Sequence, residues 1–243
     1  DREGRARQVE AERLQAEGKP AEAKAAQADA KRLLGTWRSR QSEADGLAMR
    51  EFMSDPLHQK TYQPCGDLWI EGPAPEQVTD YRRWLDLEGA ICTTEFTANG
   101  VRHRREVFAS QPAQAVVTRL SADRPGQVTA RISLTTLHRD AAVQAEGNRI
   151  TLRGQVETNG IRFQAVAVVE ATGGTVTVDD DGLRITGADA ATIRLVAGSN
   201  FRTFRDISGD PAELCRQRLA AGAKLDFPRL LAAHQADHRA LFG

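Results

Sequence analysis

Between Asp67 and Ser199 the hydrophobic pattern has a period of two, and turn signals cut it at short intervals. Segments such as Ala115-Val116-Val117-Thr118-Arg119-Leu120, Val128 to Leu134 and Thr175-Val176-Thr177-Val178 are short and rich in β-branched residues. Between them fall Asn99-Gly100, Arg124-Pro125-Gly126, Gly147-Asn148, Asn159-Gly160, Gly173-Gly174 and Asp181-Gly182. Asn-Gly and Asp-Gly supply the positive φ that tight type I′ hairpin turns require. About ten to twelve strands at spacings of roughly 8–12 residues are the cadence of an antiparallel sandwich. No helical pattern of about 10–15 residues separates them, which excludes a parallel sheet built from βαβ units.

Both flanks read as helix. Asp1 to Lys60 is rich in Ala, Glu, Gln, Lys and Arg, all strong helix formers. Gly18 predicts one stop, with Pro20 at the first turn of a second helix over Ala21 to Leu34 that ends at Gly35. A third is predicted from about Ser42 to Met53. Alanine dominates the apolar positions, so the stripe is shallow, and these helices are expected to pack on a larger body. At the other end Asp210-Pro211-Ala212-Glu213 offers an N-cap, a first-turn proline and an acid at the third position. A last helix is predicted from about Asp226 to Ala240, with Phe227, Leu230, Leu231, His234 and Leu241 on roughly one face.

Charge and composition exclude several functions. The 33 basic and 33 acidic side chains cancel, whereas a dedicated nucleic-acid binder carries a basic face. No apolar run approaches the roughly 18 residues of a membrane span. Cys65, Cys92 and Cys215 are too dispersed for a thiolate zinc site or a dithiol redox motif, and are expected to be small, partly buried residues. His234 and His238 share the spacing of an H-x-x-x-H metal site but lack the adjacent glutamate; one is expected to pack and the other to be solvated. Asp179-Asp180-Asp181-Gly182 reads as a hairpin turn, not a calcium loop. No phosphate-binding glycine loop and no nucleophile elbow occurs, so no metal, cofactor or catalytic residue is predicted.

Two clusters carry the chemistry that sugar sites use. Thr61 to Trp69 places Tyr62, Gln63, Pro64, Cys65, Gly66, Asp67 and Trp69 at the helix-to-sheet junction. Aromatic faces stack on a pyranose, and planar amides and carboxylates chelate adjacent hydroxyls. The alternative is structural: Pro64 and Gly66 shape a turn, Asp67 bonds backbone amides, and Tyr62 and Trp69 fill core. The second cluster, Asp80 to Leu87, alternates Tyr81, Arg83, Leu85 and Leu87 against Arg82, Trp84 and Asp86. Arg83 and Asp86 are candidates for a cross-sheet pair, and Trp84 for a sugar platform or, again, for core.

In order, Tyr62-Gln63-Pro64-Cys65-Gly66-Asp67-Leu68, Asp80 to Leu87, Gly100-Val101 and Arg105-Glu106-Val107-Phe108-Ala109-Ser110 resemble the N-terminal domain of glycoside hydrolase family 95. Ala122 to Gly126, Ser199-Asn200-Phe201, Ser208 to Pro211 and His234 to Phe242 continue the resemblance, which spans about Glu17 to Gly243. Cys65 departs from it, since the family usually has leucine there. The resemblance implies a mainly β fold: a large antiparallel supersandwich, similar to the N-terminal domains of inverting family 65 phosphorylases, flanked by helices. It implies a helical segment over 1–60 packing on the sandwich, the sandwich over 61–205, and over 206–243 the start of a helical linker. That linker leads toward a missing (α/α)6 catalytic barrel. The chain opens at Asp1 and closes just after a helical pattern, so it reads as a fragment.

By that resemblance the parent is an exo-acting α-L-fucosidase that hydrolyses terminal α-L-fucosyl or related L-sugar linkages with inversion, and family members are commonly secreted or periplasmic. The general acid and base lie in the barrel, so no position here carries them, and the fragment alone is expected to hydrolyse nothing. Its expected partners are the barrel and, through the parent, the oligosaccharide. Tyr62, Gln63 and Asp67 are the candidates for the pocket rim, with Trp69 and Trp84 as platforms. The alternatives are a free-standing carbohydrate-binding module using Trp69, Tyr81 or Trp84, and a purely structural sandwich. An exposed apolar patch, the barrel's footprint, is expected.

Overall fold

The computed structural model describes residues 2–51, 63–72, 77–223 and 225–242. They form two units, 1–62 and 63–243. The first is a helical hairpin of α1 (Arg2–Ala16) and α2 (Pro20–Glu51). Gly18, at φ +74°, closes α1 with a Schellman pair: its amide donates to the Gln15 carbonyl and the Lys19 amide to that of Leu14. Ala11, Leu14, Ala23 and Ala26 form the seam. Gly4 admits Leu34 closely, since a Cβ there would lie 2.9 Å from Leu34 Cγ. The expected stop at Gly35 is overturned, and so is the separate third helix: α2 runs through Gly35 for 32 residues. One glycine in exposed helix costs about 1 kcal/mol against alanine, too little to break a run of strong helix formers.

The second unit is the expected sandwich, with helices on its outer side. Twelve strands are described: β1 (Asp67–Glu71), β2 (Val78–Asp86), β3 (Ile91–Ala98), β4 (Val101–Ser110), β5 (Ala115–Ala122), β6 (Val128–Thr135), β7 (Ala142–Glu146), β8 (Arg149–Gln155), β9 (Arg162–Thr172), β10 (Thr175–Asp179), β11 (Gly182–Ala188) and β12 (Ala190–Ser199). They form a four-stranded sheet, β1-β6-β11-β10, and an eight-stranded sheet, β2-β3-β4-β5-β12-β9-β8-β7. Neighbouring strands pair antiparallel throughout, β1 with β6 and β12 with β9 among them. Asn99 and Gly100, at φ +51° and +72°, make the β3–β4 turn as the sequence predicts. Gly173-Gly174 does not close a hairpin. It carries the chain from β9 in the large sheet to β10 in the small one.

The main core lies between the sheets. Ile132, Leu134, Leu183 and Ile185 of the small sheet meet Ile150, Leu152, Ala167, Val169 and Ile193 of the large one. On the opposite face of the large sheet, α3 (Pro211–Gly222) sets Cys215 and Leu219 against Val166, Val168 and Val196. Beside it, α4 (Phe227–Phe242) sets Leu230 against Ile91, Phe108 and Val117. Asp210 caps α3 by accepting the amides of Ala212 and Glu213, with Pro211 in the first turn. The unit therefore has three layers: small sheet, large sheet, helices.

Two expectations on α4 are corrected. His238 is not solvated. It is half-buried, with Nε2 2.9 Å from the Leu87 carbonyl, just as His234 Nε2 lies 3.1 Å from that of Ala90. Together they latch α4 to the β2–β3 turn. Leu241 is 72% exposed instead of sharing the buried face.

Candidate functional site

The junction clusters with three loops at one end of the sandwich. Tyr62 lies outside the described residues. Gln63 is exposed and leads into a segment tied to the β6–β7 loop. The Pro64 carbonyl lies 3.0 Å from His138 Nε2, and the Cys65 carbonyl accepts from the Thr136 hydroxyl at 2.9 Å. Gly66 permits this approach, because a Cβ there would sit 2.3 Å from the Thr135 carbonyl oxygen. Asp67 opens β1 opposite Thr135, its carboxylate exposed and bonding no backbone amide among the described residues. Trp69 is half exposed and donates its indole N–H to the Thr135 hydroxyl at 2.9 Å, so it is not core.

The ring of His138 packs on Phe163 at 4.9 Å, and Phe163 lines a cleft of about 530 Å³ at the same end. Arg153, Gln155, Arg162, Asp140 and Asp210 bring polar groups to it. Asn200, fully buried, staples the adjoining loop: its Oδ1 accepts the Arg162 amide and its Nδ2 donates to the Ile207 carbonyl. Leu137, Phe201, Phe204 and Ile207 all project to solvent from these loops. Asn200 was missed as a structural determinant. A short polar residue before Phe201 in a turn-rich stretch was the available signal.

Trp84 lies elsewhere. Leu68 and Ile70 pack into the core, so Trp69 faces out from the small sheet. Trp84 faces out from the large sheet, under the Arg104 guanidinium at 5.9 Å from its ring. The two indoles cannot share a ligand face. Arg83 and Asp86 do not pair; Asp86 accepts the amides of Glu88 and Gly89 to shape the turn. Asp179 and Asp181 are held by Arg131 and Arg184, as befits a hairpin.

Among the described residues the carboxyls displaced from their ordinary range, Asp206 and Glu213, are both held low: Asp206 by hydrogen bonds from Ser208, Glu213 by those from Arg216 and Gln217. A general acid requires the opposite shift. Burial pushes the thiols of Cys65 and Cys215 up, away from thiolate reactivity. No cluster of three or more metal-ligating side chains occurs among the described residues.

Residues 14–203 match the family model "Glycosyl hydrolase family 65, N-terminal domain". The chain is 30% identical over 212 residues to alpha-L-fucosidase 2 of Arabidopsis thaliana, covering 74% of this chain and 25% of that protein. It is 24% identical over 196 residues to a protein assigned as alpha-fucosidase A of Aspergillus niger, covering 75% and 25%. The chain thus spans about a quarter of the length of these curated relatives. A solved structure assigned as a kojibiose phosphorylase, from the human microbiome, aligns at 14% identity and TM-score 0.48 over 68% of this chain and 25% of that one.

Proposed function

Because the chain belongs to the glycosyl hydrolase family 65 N-terminal domains, we propose that it is the non-catalytic front domain of an inverting, exo-acting α-L-fucosidase of the family 95 type. The observation that carries this reading is the extended identity to alpha-L-fucosidase 2, confined to a quarter of that protein's length. The remainder of the parent supplies the acid and base, with room between them for the water that inversion requires.

In this reading the loop end of the sandwich is the bracing surface. Leu137, Phe201, Phe204 and Ile207 dock on the catalytic barrel, which covers apolar area that is otherwise left in water. Residues 206–243 lead the chain toward that barrel. Gln63 and Asp67 form part of the pocket rim, with Trp69 beside them as a platform; Tyr62, outside the described residues, is assigned the same role by sequence alone. Trp84, on the far face and under Arg104, is set aside from that pocket.

Hydrogen exchange, run on this chain and on the longer enzyme, tests the docking. The reading expects the amides of residues 137 and 201–207 to gain protection in the longer enzyme, and Gln63→Ala there to lower kcat/KM. Unchanged exchange together with unchanged kinetics would retire both assignments.

A further inference from the structure

A second cleft, of about 580 Å³, opens between the β2-β3-β4 wing of the large sheet and the β1–β6 edge of the small one. Its volume falls in the ordinary range of small-molecule sites. Ile70, Phe96, Leu120 and Val128 give it an apolar floor, and Tyr81, Ser121 and Gln127 bring polar groups. No Asp or Glu lines it among the described residues.

Among the described residues Arg105, partly buried, is the more enclosed of the two arginines that line it. The contrast with Arg104, its neighbour on the opposite face of β4, is instructive. Arg104 pairs with both Glu95 and Glu106. Arg105 has among the described residues one long hydrogen bond, 3.5 Å from Nη2 to the Ile70 carbonyl. A guanidinium has five N–H donors. Burial pulls its pKa down. The group remains charged, because arginine does not deprotonate in proteins. Beside it His103 stacks on Phe96 at 5.2 Å, and burial pushes its imidazole toward the neutral form.

We propose that this cleft binds a small monocarboxylate carried on a six-membered ring, with the carboxylate on Arg105 and the ring against Phe96 and Tyr81. Arginine meets a carboxylate through two parallel N–H bonds, a strong and directional pairing. An apolar floor with a hydroxyl and amide rim suits a ring with one apolar face and polar edges. Two sources share that chemistry: a uronic acid at a glycan end, or a free cyclic organic acid. This assignment does not depend on the fucosidase reading, since the cleft is not at the loop end of the sandwich.

The test titrates this chain with glucuronate, benzoate and the neutral glucuronamide, using calorimetry and amide NMR shifts. The expected result is binding of at least one acid at a Kd below about 5 mM. Shifts should centre on Phe96, His103, Arg105 and Val128, and the amide should bind at least tenfold more weakly than glucuronate if glucuronate is the acid bound. Preference for glucuronate points to a glycan end and preference for benzoate to a free acid. Arg105→Gln should weaken the preferred acid by about ten- to a hundredfold, the scale of a charged hydrogen bond. Should that variant lose its fold, cyclohexanecarboxylate against its own amide on the unmodified chain decides in its place. Binding of neither acid, equal binding of an acid and its amide, or shifts elsewhere would overturn the proposal.

Discussion

β9 and β2 belong to one sheet and share almost nothing else. Seven consecutive residues of β9, Phe163 to Val169, are buried, whereas all nine residues of β2 are exposed. β9 lies between the small sheet and α3, so both of its faces are covered, and its buried run is apolar except for Gln164. β2 is an edge strand at the far end of the wing, with a register shift between Thr79 and Arg82 where Asp80 takes φ +54°. Such a bulge, with Arg82 and Arg83 along the edge, discourages pairing with another chain. Burial follows how many layers lie over a strand, and the strand's own composition only permits it.

The largest test of this contrast replaces a side chain of the covered centre. Ile193→Ala, at a fully buried position of β12, should cost about 2–5 kcal/mol in urea unfolding. Leu85→Ala in β2, 60% exposed, should stay within about 0.5 kcal/mol. Equal costs would end the distinction. Next come the glycines of the two regions. At Gly174, φ is +63° and a Cβ would lie 2.4 Å from the Thr186 carbonyl oxygen. Gly174→Ala should therefore cost about 2–3 kcal/mol. At Gly100 in the wing φ is +72° with open space around it, and Gly100→Ala should cost about 1 kcal/mol.

A smaller effect of unusual sign is expected at Arg194. It is buried on the helix side of β12 and paired with Glu170 at 2.6 Å, while its Nε and Nη1 find no partner among the described residues. An incompletely satisfied buried cation is a poor stabiliser, so Arg194→Met should be neutral or stabilising by about 1 kcal/mol. A loss above about 2 kcal/mol would show that those donors are satisfied in solution. The smallest effect concerns pH. Burial lowers the His103 pKa below its unfolded value, with Asp123 opposing. The unfolded state then binds the proton first, so stability should fall as pH drops through roughly 6.5 toward the folded pKa. His103→Leu should flatten that slope, measured as Tm against pH.

Much of the fold was legible because it is local. Turn residues at short intervals give the strand cadence, and Asn99-Gly100 and Asp210-Pro211 act where they stand. The rest depends on long-range packing. Gly173-Gly174 has the chemistry of a hairpin turn, yet which sheet receives the next strand is decided by partners far away in sequence. Gly35 reads as a stop and does not act as one, because its helical neighbours outweigh it. The junction from Gln63 to Trp69 stands out as a candidate in the sequence because its unusual composition is contiguous. The Arg105 cleft was not, since Ile70, Leu120 and Val128 join it only when β1, β5 and β6 close over the wing.

In the function proposed for it, this sandwich supports glycoside hydrolysis without performing it. Incubating the purified 243-residue chain with an aryl α-L-fucoside tests this most directly. The account predicts no aglycone release above the buffer rate from the folded chain. Sustained turnover that a single substitution within residues 63–243 abolishes would contradict it.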